Sequence, residues 1–462
     1  MGAARVATGT GGPAARSVGF RTVLAVVLLS GAALVLTGCK PTLQWSAPSP
    51  IVAGTALSGS QLNADAGVPG RYFYTPPLGS PLDAGTHDLS VLFVPRDLAH
   101  LEPVTATVSI TVTAAPAATG AFGARQDYAV PNAPQTVAIG DLDRNGSPDL
   151  AVANYYGNQA AVLPGTGTGA FGPRQDIATG FQPQAVAVGD LDGDGNLDMV
   201  TANGVYSTLS VFLGNGSGGF APRKVLDIGC GTVEVQIADL NGDHRPDLAT
   251  ANWNCSTASV LLGAGDGTFG PRTDFAVGAQ PRVLTVADVD HDSAADIVTA
   301  NWSAGTVSLL YGTGTGTFSP KIDLPAGTNT SSVAVGDLDH DARPDLVSTD
   351  EAAGTVSVRL ATGVRTFGAA TTYASGAQAR AVAVADLDND GALDVVVANW
   401  GVNTLSVRRG TGTGALGARV DRPTLRSPTS VTIADLNGDH RLDVVVADAW
   451  SDAVSVWLAS TP

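Results

Sequence analysis

The aspartates of this chain recur at one fixed interval. Asp141, Asp190, Asp239, Asp288, Asp337, Asp386 and Asp435 each lie 49 residues from the next, and each opens a nine-residue segment of the form D-[LV]-[DN]-x-[DN]-x-x-x-D. The same spacing carries Phe122, Phe171, Phe220, Phe269, Phe318 and Phe367, with Leu416 in the seventh place. A period of this length marks one supersecondary unit copied many times, and it must be read before any local signal. In the second copy Q-A-V-A-V-G-D-L alternates as a strand and the acidic segment follows. L-D-M-V-T-A-N, T-L-S-V-F-L-G and P-R-K-V-L-D-I then give three more strands. Helical periodicity of useful length is missing, and 56 Gly with 27 Pro supply the turns of an all-β chain.

Four short strands per 40 to 50 residues are the mark of a β-propeller blade. A solenoid of the same period would need capping ends. Instead the count closes, because residues 120–462 number 343, which is seven times 49. The run begins at a fourth-strand position, Phe122 to Val130, and ends after a third strand, Ala453 to Leu458. The first segment therefore completes the last sheet, which predicts a seven-bladed ring without unpaired edges. The Gly-rich turns, such as G-T-G-T-G at Gly165 to Gly169, join strand to strand and so differ from phosphate loops, which join a strand to a helix.

The residues resemble the FG-GAP and VCBS repeats that build propellers in integrin α chains and bacterial surface proteins. V-A-V-G-D-L-D-G-D-G-N-L-D at Val186 to Asp198 and V-A-V-A-D-L-D-N-D-G-A-L-D in the sixth copy carry the resemblance, which covers 120–462. Calcium takes six to eight hard oxygens, and carboxylates at loop positions 1, 3, 5 and 9 converge when the chain curls around the ion. The candidate ligands are Asp141, Asp143, Asn145 and Asp149; Asp190, Asp192, Asp194 and Asp198; Asp239, Asn241, Asp243 and Asp247; Asp288, Asp290, Asp292 and Asp296; Asp337, Asp339, Asp341 and Asp345; Asp386, Asp388, Asp390 and Asp394; and Asp435, Asn437, Asp439 and Asp443. Seven Ca²⁺ would add 14 charges and take the net charge from -17 to -3. Gly146, Gly195 and Gly391 fit the sixth loop position, whereas His244, Ser293, Ala342 and His440 carry a Cβ that opposes a positive φ.

The N-terminus reads as an export signal. Arg5, Arg16 and Arg21 precede an apolar run of 14 residues, Val23 to Leu36, too short for a spanning helix. It runs into L-T-G-C at Leu36 to Cys39, which resembles the bacterial lipobox. The reading is a lipoprotein signal peptide at 1–38, cleaved before a lipidated Cys39. Its acyl chains would anchor the protein at about 0.8 kcal/mol per buried CH₂. Lys40 after that cysteine favours sorting to an outer membrane or the cell surface. Residues 39–114 alternate β-prone runs with turns, and W-S-A-P-S-P-I-V-A-G-T-A-L-S-G-S-Q-L-N-A from Trp45 resembles bacterial Ig-like domains. A small β-sandwich acting as a spacer is expected there, with 115–119 as linker. Cys230 and Cys255 remain for an oxidising compartment, as a disulfide or as two buried thiols; their places before strand one and after strand two of the third blade put them on one face, which favours the bridge.

Acidic composition excludes an electrostatic footprint for nucleic acid. At the end of strand two Asn154, Asn203, Asn252, Asn301, Asp350, Asn399 and Asp448 form a polar ring opposite the metal face, and Trp253, Trp302 and Trp400 follow three of them. Asn252, Trp253, Asn301, Trp302, Asn399 and Trp400 are therefore candidate ligand contacts, set against a structural role as turn caps and interblade packing. The functional expectation is a calcium-stabilised, membrane-anchored binding or adhesion protein with a glycan or protein ligand. The alternatives are a carbohydrate-active enzyme of the polysaccharide-lyase kind or a structural envelope component. Four of six histidines sit inside metal loops and no Ser-His-Asp set can be assembled, so catalytic residues are not assigned.

Overall fold

The computed structural model of the protein describes residues 40–52, 57–77, 80, 82, 85–97, 101–113, 122–204 and 206–460. The expected signal peptide at 1–38, the expected lipid acceptor Cys39 and the expected linker at 115–119 lie outside them. The chain divides into two units, one N-terminal up to Ile110, the other running from Thr111 to Pro462 with Ser49–Ala56 and Pro81–His87. Among the described residues no helix is long and apolar enough to cross a membrane.

The N-terminal strands Ile51–Val52, Gly70–Thr75, Gly85–Pro95 and Val104–Thr113 form one mixed sheet in the order first, fourth, third, second. Alternation in Gly85–Pro95 buries Leu89, Val91 and Phe93 on one face. Tyr72 packs on Phe93 at 4.8 Å, and the hydroxyls of Tyr72 and Tyr74 accept the Ala66 and Ala64 N–H groups. Of the expected sandwich, this sheet and the single bridge Gln44–Asp65 lie among the described residues.

Seven four-stranded antiparallel sheets follow, six of them with their strands in chain order and the seventh completed by a strand from the start of the propeller. Blade 2 is typical, with strands Pro183–Gly189, Asp198–Asn203, Thr208–Phe212 and Lys224–Asp227. The strand-two positions are buried at all six residues in every blade, from Asp149–Asn154 to Asp443–Asp448. Apolar character on both faces of a strand is what a sheet needs when a neighbouring blade packs on each side. Accordingly the core is divided among the interblade gaps. Val200 and Leu209 of blade 2 pack with Val235 and Leu248 of blade 3. Leu150 and Leu163 of blade 1 meet Val445 and Val456 of blade 7.

The ring closes as the repeat count requires. Gln126–Ala129 pairs antiparallel with Ala453–Trp457 as the fourth strand of blade 7, and Phe122 bridges Ala459. Thr432 Oγ1 donates to the Val137 carbonyl at 3.0 Å, joining the first strands of blades 7 and 1. Segments from the two ends of the repeat region thus share one sheet, which closes the ring between its first and last blades.

Candidate functional site: metal loops and the channel mouth

Each acidic segment joins strand one to strand two, so all seven lie on one face of the ring. Position 9 is buried. Asp198 Oδ2 accepts the Leu191 N–H at 2.7 Å and its Oδ1 accepts the Gly214 N–H at 2.7 Å. The same pair of bonds recurs at Asp149, Asp247, Asp296, Asp345 and Asp443. The second donor lies 16 residues downstream; in blade 2 it is Gly214, where a Cβ would meet the Leu197 carbonyl oxygen at 2.1 Å, whereas Ala361 and Ala459 fill the same place in blades 5 and 7. Position 1 shapes the loop as well: Asp190 Oδ2 accepts the Gly195 N–H at 2.9 Å. The sixth position has positive φ in all seven blades, 85° at Gly195 but also 63° at His244, 71° at Ser293, 65° at Ala342 and 63° at His440. The side chain at that place does not change the loop's conformation; the non-glycine blades hold it under strain.

Carboxylate oxygens of Asp141, Asp143 and Asp149 lie within 4.8 Å of one another, as do those of Asp190, Asp192 and Asp194, of Asp288, Asp290 and Asp296, of Asp337, Asp339 and Asp345, and of Asp386, Asp388 and Asp390. Ligands held 2.3 to 2.6 Å from one calcium are at most about 5 Å apart, so these oxygen sets fit that ion. Crowding of anions leaves a mark. Burial first, and the neighbouring loop carboxylates second, push Asp198, Asp296, Asp345 and Asp443 up to about 6.

The loops differ in what else reaches the carboxylates. Arg245 and Arg441 donate to Asp243 and Asp439 at 2.6 Å, and Arg343 to Asp341, within their own loops. Arg365 bonds Asp290 and Arg409 bonds Asp394. These cations already offset the charge of blades 3 to 7. No ion pair of this kind is formed by the described residues of the blade 1 and 2 loops, which are the barest anionic cages in the ring. Arg245, Arg343 and Arg441 recur at the seventh place of alternate loops and were legible in the repeat, whereas Arg365 and Arg409 follow no period and were not.

The opposite face carries the strand-two turns. Here three expected ligand contacts are corrected. Asn252, Asn301 and Asn399 are fully buried and spend their amides within the blade: Asn252 Nδ2 donates to Ser259 Oγ at 2.6 Å, Asn301 Nδ2 to Ser308 Oγ at 2.7 Å, and Asn399 Nδ2 to Ser406 Oγ at 2.8 Å. They tie strand two to strand three and have no group left for a ligand. Trp253, Trp302 and Trp400 are half-buried at the rim in two groups. Trp253 lies 5.7 Å from Trp302, and Trp400 lies 5.2 Å from the exposed Trp450. On the same face Cys230 and Cys255 are joined by a disulfide.

Between the first strands runs a central cavity of about 780 Å³, reaching from the turn residues Gly204, Gly231 and Trp253 down to Val335 and Val384. Charged groups gather at its mouth. Arg282 pairs with Glu351 at 3.1 Å, and Glu351 also accepts the Trp302 indole N–H at 3.2 Å. Arg380 lies against the Trp400 ring, its guanidinium carbon 5.8 Å from the centroid. The sequence did carry a signal for these residues: Arg282 and Arg380 occupy the repeat place held by Gln135 and Gln184, polar at the start of an otherwise apolar strand.

Residues 141–201, 190–250, 239–299, 288–348, 341–397 and 386–446 match the FG-GAP-like repeat. The chain belongs to the FG-GAP-like repeat family. A matched stretch of FG-GAP-like repeat such as 190–250 runs from an acidic loop through four strands into the next loop, so adjacent matches overlap as the 49-residue period demands. No curated protein matches the chain. Among solved structures, the BBS1N chain crystallised in complex with ARL6DN is similar over 73% of this chain and 97% of its own, at 12% identity and a TM-score of 0.52. A protein from Lactobacillus plantarum is similar over 74% of this chain and 94% of its own, at 16% identity and a TM-score of 0.50. Likeness at these identities is one of fold.

Proposed function

We propose that this FG-GAP-like propeller is an exported, lipid-anchored and non-catalytic binding protein. Calcium in the acidic loops stiffens the ring, and a glycan or protein ligand is taken on the opposite face. The observation that carries the reading is the cavity mouth: indoles, the Arg282 and Arg380 guanidiniums and the Glu351 carboxylate gather where the strand-two turns surround the channel. Aromatic faces beside fixed polar groups suit stacking on a sugar ring or gripping a side chain. Calcium is supported by the spacing of the loop oxygens, which cluster in threes in five blades, as at Asp190, Asp192 and Asp194. The anchor is supported by the basic segment, the apolar run and L-T-G-C ending at Cys39, and the N-terminal unit would act as the spacer. A glycan array read in 1 mM Ca²⁺ and again in EGTA tests the reading, with a product assay on each captured glycan. Retention of an intact glycan in calcium supports a binding module. Release of a shortened product would instead make the protein an enzyme, and failure of both the array and a surface-protein capture would leave the architectural role.

A further inference from the structure

Arg380 is half-buried and lines the central cavity. Among the described residues neither a hydrogen bond nor an ion pair engages its guanidinium, which lies against the Trp400 ring. Glu351, the nearest acid that acts on it, is already taken by Arg282 and the Trp302 indole. Glu234, the other acid of the cavity, accepts the Val235 N–H and the Gln236 amide, and burial pushes its carboxyl up to about 8, which leaves it mostly neutral at pH 7. Arg380 is lowered by burial and by Arg282 only to about 9, so it stays charged. Of the two guanidiniums at the mouth, Arg282 is paired and Arg380 is not, which leaves a surplus of one unmet positive charge in a protein of net charge -17. A desolvated charge without a partner is unfavourable, and the missing partner is one anion.

We infer that the channel mouth binds the carboxylate of an acidic sugar, with Arg380 gripping the carboxylate and Trp253 and Trp400 flanking the ring. The planar fork of a guanidinium matches a carboxylate in two parallel bonds. The surplus of one charge matches a monoanion and leaves a phosphate dianion undercompensated. Indole faces supply the apolar contact that the C–H face of a pyranose needs, and the Gln184 amide, which lies over Gly204 at the rim, offers a donor and an acceptor for hydroxyls. The inference rests on the reading of this face as a binding face.

The test is titration of the intact protein in 1 mM Ca²⁺ with glucuronic acid and galacturonic acid oligomers, followed by tryptophan fluorescence and calorimetry. Glucose and galactose oligomers, inorganic phosphate and tetra-glutamate serve as the other arms. Uronate binding that falls at least tenfold in R380Q, and partly in R380K, which keeps the charge but not the fork, is the expected result. Circular dichroism and the melting temperature of both variants establish that they fold. Equal uronate binding in R380Q, or binding confined to neutral oligomers, overturns the inference while leaving a glycan-binding role intact. Capture of tetra-glutamate without uronate would assign the face to a protein partner, and tighter binding of phosphate would assign the charge to a dianion; either result overturns it. Absence of binding in every arm removes both this inference and the glycan reading beneath it.

Discussion

Replacing Asp143 by Asn should stabilise the metal-free protein and destabilise the calcium-loaded one. In blade 1 the oxygens of Asp141, Asp143 and Asp149 lie within 4.8 Å of one another, so the loop contains three repelling pairs. At that separation one pair costs about 0.9 kcal/mol in a water-like dielectric and about 3.5 at an effective dielectric of 20. Asp141 and Asp143 are only half-buried, so the lower figure applies, and removing two pairs is worth about 1.7 kcal/mol. Asparagine keeps the oxygen that accepts the Asn145 N–H at 3.0 Å, so loop shape is retained. Calcium acts the other way. With a dissociation constant of ~10⁻⁴ M the wild-type site contributes about 1.4 kcal/mol at 1 mM calcium and about 3 at 20 mM, most of which the variant forgoes. The two stability curves should therefore cross at about 2 mM calcium. For a ring that unfolds as one unit, the entropy of unfolding is about 0.7 kcal/mol per degree, so Asp143→Asn should melt about 2 °C above wild type in EGTA and about 2 °C below it at 20 mM calcium. Differential scanning calorimetry over a calcium series reads both limbs. Should the variant keep the same rank at every calcium concentration, or should wild type ignore calcium, the cage account of these loops is wrong.

Three further outcomes are expected. Asn154 is buried with neither amide atom bonded to a described residue, because blade 1 has Ala161 where the other blades have a serine; Ala161→Ser should raise stability by about 1 kcal/mol in a denaturant melt, and a loss would show that the cavity cannot take the hydroxyl. Asp448 occupies the buried asparagine position in blade 7, where burial pushes its carboxyl from 3.8 to about 7. A raised folded-state value means that stability is fully present below pH 4 and is lost as pH climbs towards 7; Asp448→Asn should flatten that fall, by at most about 4 kcal/mol, and equal pH profiles would contradict it. The Cys230–Cys255 bridge spans 25 residues, so reducing it should cost ~3.5 kcal/mol by chain entropy, read as a lower melting temperature in dithiothreitol; an unchanged melt would mean that the reduced loop is already ordered by the blade.

Architecture was legible because it is written in periods. Strand alternation, the 49-residue interval and the count of 343 residues are properties of the chain itself, and they imply four-stranded units that close on each other. The metal loops were legible for the same reason, since ligands two residues apart on one curled segment are local in sequence. Even so, the strand-two asparagines were misplaced as ligand contacts. Whether an amide faces solvent or its own blade depends on Ser259, Ser308 and Ser406 across the sheet, and on the neighbouring blade that seals them in.

By itself, then, the sequence determined the ring, its closure by Gln126–Ala129, and seven acidic turns on one face. Only the tertiary structure decided the charge state of those turns and the content of the channel. Arg365 reaches Asp290 from 75 residues away, and Arg282 meets Glu351 from 69 residues away. Such pairs follow no repeat, because they are made between blades, where side chains meet across a distance that the chain's own periodicity does not encode.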